Sequence, residues 1–421
     1  MGSLFFSLFM IISASGFLFR AESKTFWGDA EVLKKLKQSM DPASVTPGSC
    51  VSSWDFSIDP CDNVSGEKFT CGFRCDVVVS GLSRVTELSL DQAGYAASLF
   101  SFTWNLPYLE TLDVSNNYFS GHIPDSFSNL TRLRRLGLSA NSFSGEIPSS
   151  IGSLSSLEEL YLDNNHLEGA IPRSFNGLVS LKTLQLQSNK LVGQFPDLSS
   201  LRNLNYLDLS ANSLAGALPA SLPVSLIQIT IRNNQLTGVL ASESFKDLAY
   251  LQVVDLSGNR FTGSVPSVLF QLPSLQQLTL SFNQFSSIET PYPGSSLQSG
   301  LIAVDLSNNQ LQGLLPSFMA LMPRLSSLSL ENNRFTGLIP TLYAVKTVFP
   351  QTGFASFQRL LLRGNYLLGG IPRLLLTLKP DSANLSLVDN CLFRCPHVFF
   401  FCQGGQQKSS AECSGFSQLT H

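Results

Sequence analysis

Arg359 and Arg363 stand four residues apart, with Glu331 upstream of them. Two guanidinium groups set closely could fork the free carboxylate of a peptide, because each offers parallel N–H donors in one plane. The same charges have an internal use, Arg363 against Glu331, just as Arg134 and Arg135 can pair with Glu158 and Glu159. Tyr161, Tyr206, Phe282 and Leu361 would add apolar contact area for a partner. Thr183, Gln185, Gln187, Asp208, Gln228, Asp255, Gln277, Thr279 and Asp305 would supply hydrogen bonds to an extended peptide or a polysaccharide. Catalysis, by contrast, lacks its parts. No phosphate-cradling loop precedes a helix, no kinase catalytic triplet is present, and His122, His166, His397 and His421 have no metal spacing. The chain is expected not to be an enzyme and to use no cofactor and no metal.

Residues so far apart share a surface only if the chain repeats. Asn141 is the fixed point of one such unit, running from Leu130 to Ser153. Leu136 and Leu138 precede it by five and three positions, Phe143 follows by two, and Gly145 and the Ile147-Pro148 pair come next. The frame recurs at Asn117, Asn165, Asn189, Asn212, Asn234, Asn259, Asn283, Asn309, Asn333, Asn365 and Asn390, mostly at intervals of 22 to 26 residues. Along a strand the faces alternate, so positions minus five and minus three enter a core while minus six, minus four and minus two face solvent. The Asn amide can bond the free backbone groups of the turn that follows and of the neighbouring coil. One unit cannot bury its own apolar side, so coils must stack and both ends need lids.

The pattern LxxLxLxxNxLxGxIP resembles the leucine-rich repeat in its plant extracellular variety. The resemblance implies an α/β repeat solenoid. It would be a right-handed superhelix of about 13 coils with a parallel β-sheet on the concave face and disulfide-stapled caps at both ends. The first coil, Leu82 to Pro107, has Ala93 where the Asn would stand, as suits a repeat beside a cap. The interval from Asn333 to Asn365 is 32 residues, which adds a projecting loop around YAVKTVFPQTGF that is either a ligand-shaping island or a tolerated surface insertion.

Four regions follow: a signal peptide at 1–23, an N-terminal cap at 24–81, repeats at 82–390 and a C-terminal cysteine cap at 391–421. Leu4 to Phe19 is an apolar run ahead of Ala21-Glu22-Ser23, a small-x-small cleavage pattern, and it falls short of the roughly 20 residues that span a bilayer. An uncleaved anchor is the rival reading of that run. In the cap, Asp29 can cap a helix whose Ala30, Leu33, Leu36 and Met40 share a face. The cysteines fall in two groups, Cys50, Cys61, Cys71, Cys75 and Cys391, Cys395, Cys402, Cys413, which in an exported chain read as disulfides rather than zinc ligands. Spacing leaves three pairings open in each group. The stretch around Trp54 and Asp59-Pro60-Cys61 resembles the cap of plant leucine-rich-repeat receptors, and that resemblance implies a Cys61 to Cys71 bridge. Asn63, Asn129 and Asn384 head glycan acceptor triplets.

A net charge of −3 without a long basic run excludes a nucleic-acid partner and gives no footprint for anionic lipid. What remains is a secreted recognition protein of the receptor-like type, lacking transmembrane and kinase segments. It would bind a peptide or a receptor ectodomain through its concave face in plant cell-surface signalling or defence. A membrane receptor kinase is the candidate signalling partner, and the extracellular space or cell wall the expected location. The alternative function, from another class, is inhibition of secreted cell-wall-degrading enzymes, as in the polygalacturonase-inhibiting proteins.

Overall fold

The computed structural model describes residues 24–62, 71–292 and 298–419, with side chains described as far as residue 414. Its main sheet has fourteen strands. Phe73–Arg74 pairs antiparallel at one edge, and every later strand, from Glu87–Ser89 to Asn384–Ser386, runs parallel to its neighbours. The predicted alternation holds: Leu184 and Leu278 are fully buried at the centres of their strands, while Thr183, Gln185 and Thr279 are half-buried and Gln277 is exposed. A second parallel sheet follows each turn and is split, with eight strands ending at Gln284–Ile288 and four more beginning at Gln312–Leu314. The split falls where the sequence loses its Gly and Pro positions after Asn283.

Three features of the repeat have visible causes. Each ladder Asn closes its turn and its neighbour's: Asn141 Nδ2 donates to the carbonyls of Val114, Leu138 and Ser139 at 3.0 to 3.2 Å, and Oδ1 accepts from the Phe119 amide at 2.9 Å. The residue before each of the twelve asparagines has positive φ, from Asn116 to Asp389. At Gly364 a Cβ would stand 2.2 Å from Asn332 Oδ1, so a larger residue would have to displace that side chain. On the far side, Pro124, Pro148, Pro172, Pro266, Pro316 and Pro372 each precede a 3-10 turn, their fixed φ setting the chain's direction.

The long interval before Asn365 is not a projecting loop. Helix α1 spans Trp27–Ser39, and a second helix, α2, spans Thr341–Val348 inside that interval. Tyr343 of α2 is fully buried, packs edge-on against Phe357 and donates to the Pro316 carbonyl at 3.1 Å. Its apolar face therefore docks on the stack instead of leaving it. Asp29 also departs from expectation, since Phe26 holds the cap position of α1 and Asp29 lies within the first turn. There it is wholly buried and takes a bidentate pair from Arg84, at 2.8 and 2.9 Å, plus the Val85 amide. Arg84 is itself held between the Phe26 and Tyr108 rings, each centroid 4.3 Å away. Removing either charge would leave the other buried without its partner.

The cysteines pair as Cys50–Cys71, Cys61–Cys75, Cys391–Cys413 and Cys395–Cys402. The implied Cys61 to Cys71 bridge is corrected. Trp54 Nε1 donates to the Cys71 carbonyl at 2.8 Å, which fixes Cys71 beside Cys50 at a Cα separation of 5.0 Å and leaves Cys61 to Cys75. The leader and Asn63 lie outside the described residues.

Candidate functional site

Lateral register sets the solvent-facing strand residues in columns. The middle column runs Asp113, Gly137, Tyr161, Gln185, Asp208, Thr230 and onward to Ser386, one residue per strand at about 4.8 Å. Gly137 leaves a gap in it, where a Cβ would meet the Asp113 carboxylate at 2.6 Å. Asp113 leans across this gap and takes Arg135 Nη2 at 3.1 Å. Arg135 also binds Glu159 and lies under the Tyr161 ring, 4.5 Å from its centroid. Tyr161 Oη donates to the same Glu159 at 3.2 Å. Burial opposes the Arg135 charge, but the hydrogen bonds to Asp113 and Glu159 outweigh it and raise its pKa. Burial, then the Glu159 charge, raise that of Tyr161.

Next to this group Arg134 meets Glu158 at 3.1 Å, and Lys182 meets the same Glu158 from the other side. The Lys182 hydrogen bond holds Glu158 below the usual carboxylate range. These partners are largely solvated, so each contact contributes at most about 1 kcal/mol, and together they orient the surface more than they stabilise it. A depression beside this group has a volume of about 520 Å³ and includes Ser115, Arg135, Tyr161 and Gln185 in its lining. Sequence reasoning placed the emphasis near the C-terminal end and missed this depression. The available signal was a glycine at a solvent-facing strand position where every other coil carries a side chain.

At the C-terminal end, Arg363 Nε stands 4.0 Å from Glu331 Oε1. Arg359 forms no ion pair among the described residues, and the strand rise sets its Cα about 13 Å from that of Arg363. Leu361 lies between them with only 8% of its surface exposed, so it is not the projecting contact residue expected. The structure therefore keeps the two guanidinium groups in separate columns. Asn384 is exposed and sits directly beside Arg359 in the last strand, so a glycan there would cover Arg359, whereas Asn129 ends an exposed 3-10 turn away from the sheet.

Tyr206 projects from its strand at 44% exposure. Phe282, 62% exposed, is not on a strand but in the turn after Gln277–Thr279, at the positive-φ position before Asn283. Other ladder positions of this kind carry Asn, Ser, Ala, Asp or Gly. A bulky side chain there works against the backbone preference, and such cost is commonly tied to use. Among the described residues no group of side chains could hold a metal ion, and no helix is long and apolar enough to cross a membrane.

A family model described as a leucine-rich repeat region matches residues 88–375, well over half of the chain. The chain belongs to the leucine-rich-repeat family. Among solved leucine-rich-repeat structures it is similar to the plant peptide hormone receptor RGFR1 in complex with RGF2, at 32% identity and a TM-score of 0.57, over 68% of this chain and 48% of that one. It is also similar to the ectodomain of the Arabidopsis thaliana membrane receptor kinase GASSHO1/SCHENGEN3 in complex with CASPARIAN STRIP INTEGRITY FACTOR 2. That match has 25% identity and a TM-score of 0.52, covering 86% and 50% of the two chains. A Leptospira interrogans leucine-rich-repeat protein matches at 28% identity and a TM-score of 0.55, over 76% and 77%. The chain spans about half the length of these two plant receptors. No curated protein matches it.

Proposed function

We propose that this leucine-rich-repeat protein binds an extended peptide, or an extended segment of another extracellular protein, along the concave face of its parallel sheet. The observation that carries the reading is the open face itself. Gln185, Tyr206, Gln277 and their column neighbours remain accessible over buried strand centres, which gives a long, polar, aromatic-flecked groove in place of a closed cavity. The likeness to plant receptors solved with peptide ligands supports the same use, and the four disulfides suit an oxidising, extracellular setting. Signalling would then pass through a partner such as a receptor kinase.

Display of random dodecapeptides against the whole protein tests this. Selected peptides are expected to bind the native chain and to lose about tenfold or more in affinity for Gln185→Trp, which puts an indole into the groove, while the thermal unfolding midpoint stays unchanged. Peptides that bind both proteins equally would contradict a site on this face.

A further inference from the structure

From coil to coil the middle column reads Asp208, Thr230, Asp255, Thr279, Asp305, a strict alternation of carboxylate and hydroxyl over five adjacent strands. Each Asp uses one oxygen locally, accepting the backbone amide two residues on, at 2.9 to 3.0 Å. None of the three forms an ion pair among the described residues. The chain itself shows what a carboxylate in this column accepts, because Asp113 takes the Arg135 guanidinium. In the later coils the position corresponding to Arg135 is filled by Gln228, Gln277 and Ser327, so no cation reaches these acids from that position.

Two further groups point to an absent partner at the start of the stripe. Ser210 is 3% exposed and its hydroxyl has no hydrogen-bond partner; the side-chain oxygen Oε1 of Gln187, also buried, has none either. Ser210 follows Asp208 by two residues and so faces the same way. An orphaned buried polar atom is costly enough to call for a function.

The spacing selects the shape of the ligand. Alternate strands are about 9.6 Å apart. A polyproline II chain repeats every three residues, about 9.3 Å, with its backbone carbonyls unbonded. A β-strand returns the same face about every 6.8 Å, and two turns of α-helix advance about 10.8 Å, an overshoot of more than an ångström at each step. We propose that the ligand is a polyproline II peptide with a cationic side chain at every third residue, its charges seated on Asp208, Asp255 and Asp305. The Ser210 hydroxyl then donates to one of its backbone carbonyls, and Gln187 Oε1 accepts the backbone N–H of one of its cationic residues. This rests on the peptide-binding reading above and narrows it to one class of ligand.

The test uses fluorescence anisotropy with the whole protein and two labelled dodecamers. One is four Arg-Pro-Pro triplets; the other has the same four arginines and eight prolines, with the arginines at every second position. The triplet peptide is expected to bind about tenfold more tightly, and the preference should vanish in the Asp208→Asn, Asp255→Asn, Asp305→Asn variant. Asn keeps the oxygen that receives each backbone amide, so the turns survive, and circular dichroism melting checks that they do. Equal affinity for both dodecamers, or a preference that persists in the variant, overturns the proposal. If displayed peptides bind in the groove but show no period of three, this inference fails and the peptide-binding reading stands. If no peptide binds at all, both fail.

Discussion

Asn259 shows how much one side chain does in a stacked fold. Its amide donates to the carbonyls of Ile231, Leu256 and Ser257 at 2.9 to 3.2 Å, and its oxygen accepts the Leu236 amide at 3.0 Å. It is 7% exposed, so water cannot replace these bonds. Asn259→Ala leaves a buried donor and buried carbonyls without partners and should cost about 2 to 4 kcal/mol by urea unfolding. A loss under about 0.5 kcal/mol would mean that the ladder is not structural. The ladder was legible in the sequence because its reason is local: a polar residue at fixed distance from apolar ones. Phe282 was not, because a residue one step before the ladder Asn belongs to the turn, and the strand's alternation stops before reaching it. The pairing of Arg363 with Glu331 was legible, because the two stand at matching positions of adjacent coils, whereas the burial of Leu361 between the two arginines was not.

At the scale of elements, α2 is the unexpected piece, and it contains an unusual charge. Lys346 is 4% exposed, donates to the Met322 carbonyl at 2.7 Å, and lies 5.2 Å from the Phe357 ring centroid and 5.5 Å from that of Phe354, with no carboxylate paired to it among the described residues. Burial lowers its pKa to about 8. A lysine whose folded pKa lies below its unfolded one loses its proton first in the folded state, so folding becomes more favourable as pH rises from about 8 to 10.5 and is flat below that window. The gain across the window is on the order of 3 kcal/mol, and Lys346→Met should abolish it. Parallel stability curves for the two proteins from pH 7 to pH 10.5 would contradict this. The sequence showed that something was inserted here but not what, since eight residues are too few for a decisive helical period and the burial of Tyr343 depends on Pro316 and Phe357 from other segments. The cysteine pairing was hidden for the same reason: the Trp54 to Cys71 hydrogen bond that sorts it is a tertiary contact.

Over the whole molecule, repetition made the architecture readable and the ligand hard to read. Core positions repeat, so a dozen weak signals add to one clear solenoid. The concave columns vary from coil to coil, and their meaning appears only when lateral register sets Asp208, Asp255 and Asp305 in a line and lets Asp113 reach Arg135 across Gly137. A stack of this kind also spreads binding over many strands, so single substitutions at its rim should matter less than changes along a column. Hydroxyl-radical footprinting of the whole protein, with and without a display-selected peptide, tests the concave face most directly. Tyr206, at 44% exposure, and Tyr161 should be protected by the peptide, while Tyr250 and Phe349, at 67% and 64% and off the concave strands, should react as before. Protection of Tyr250 or Phe349 with Tyr161 and Tyr206 unchanged would place the ligand elsewhere and contradict the reading.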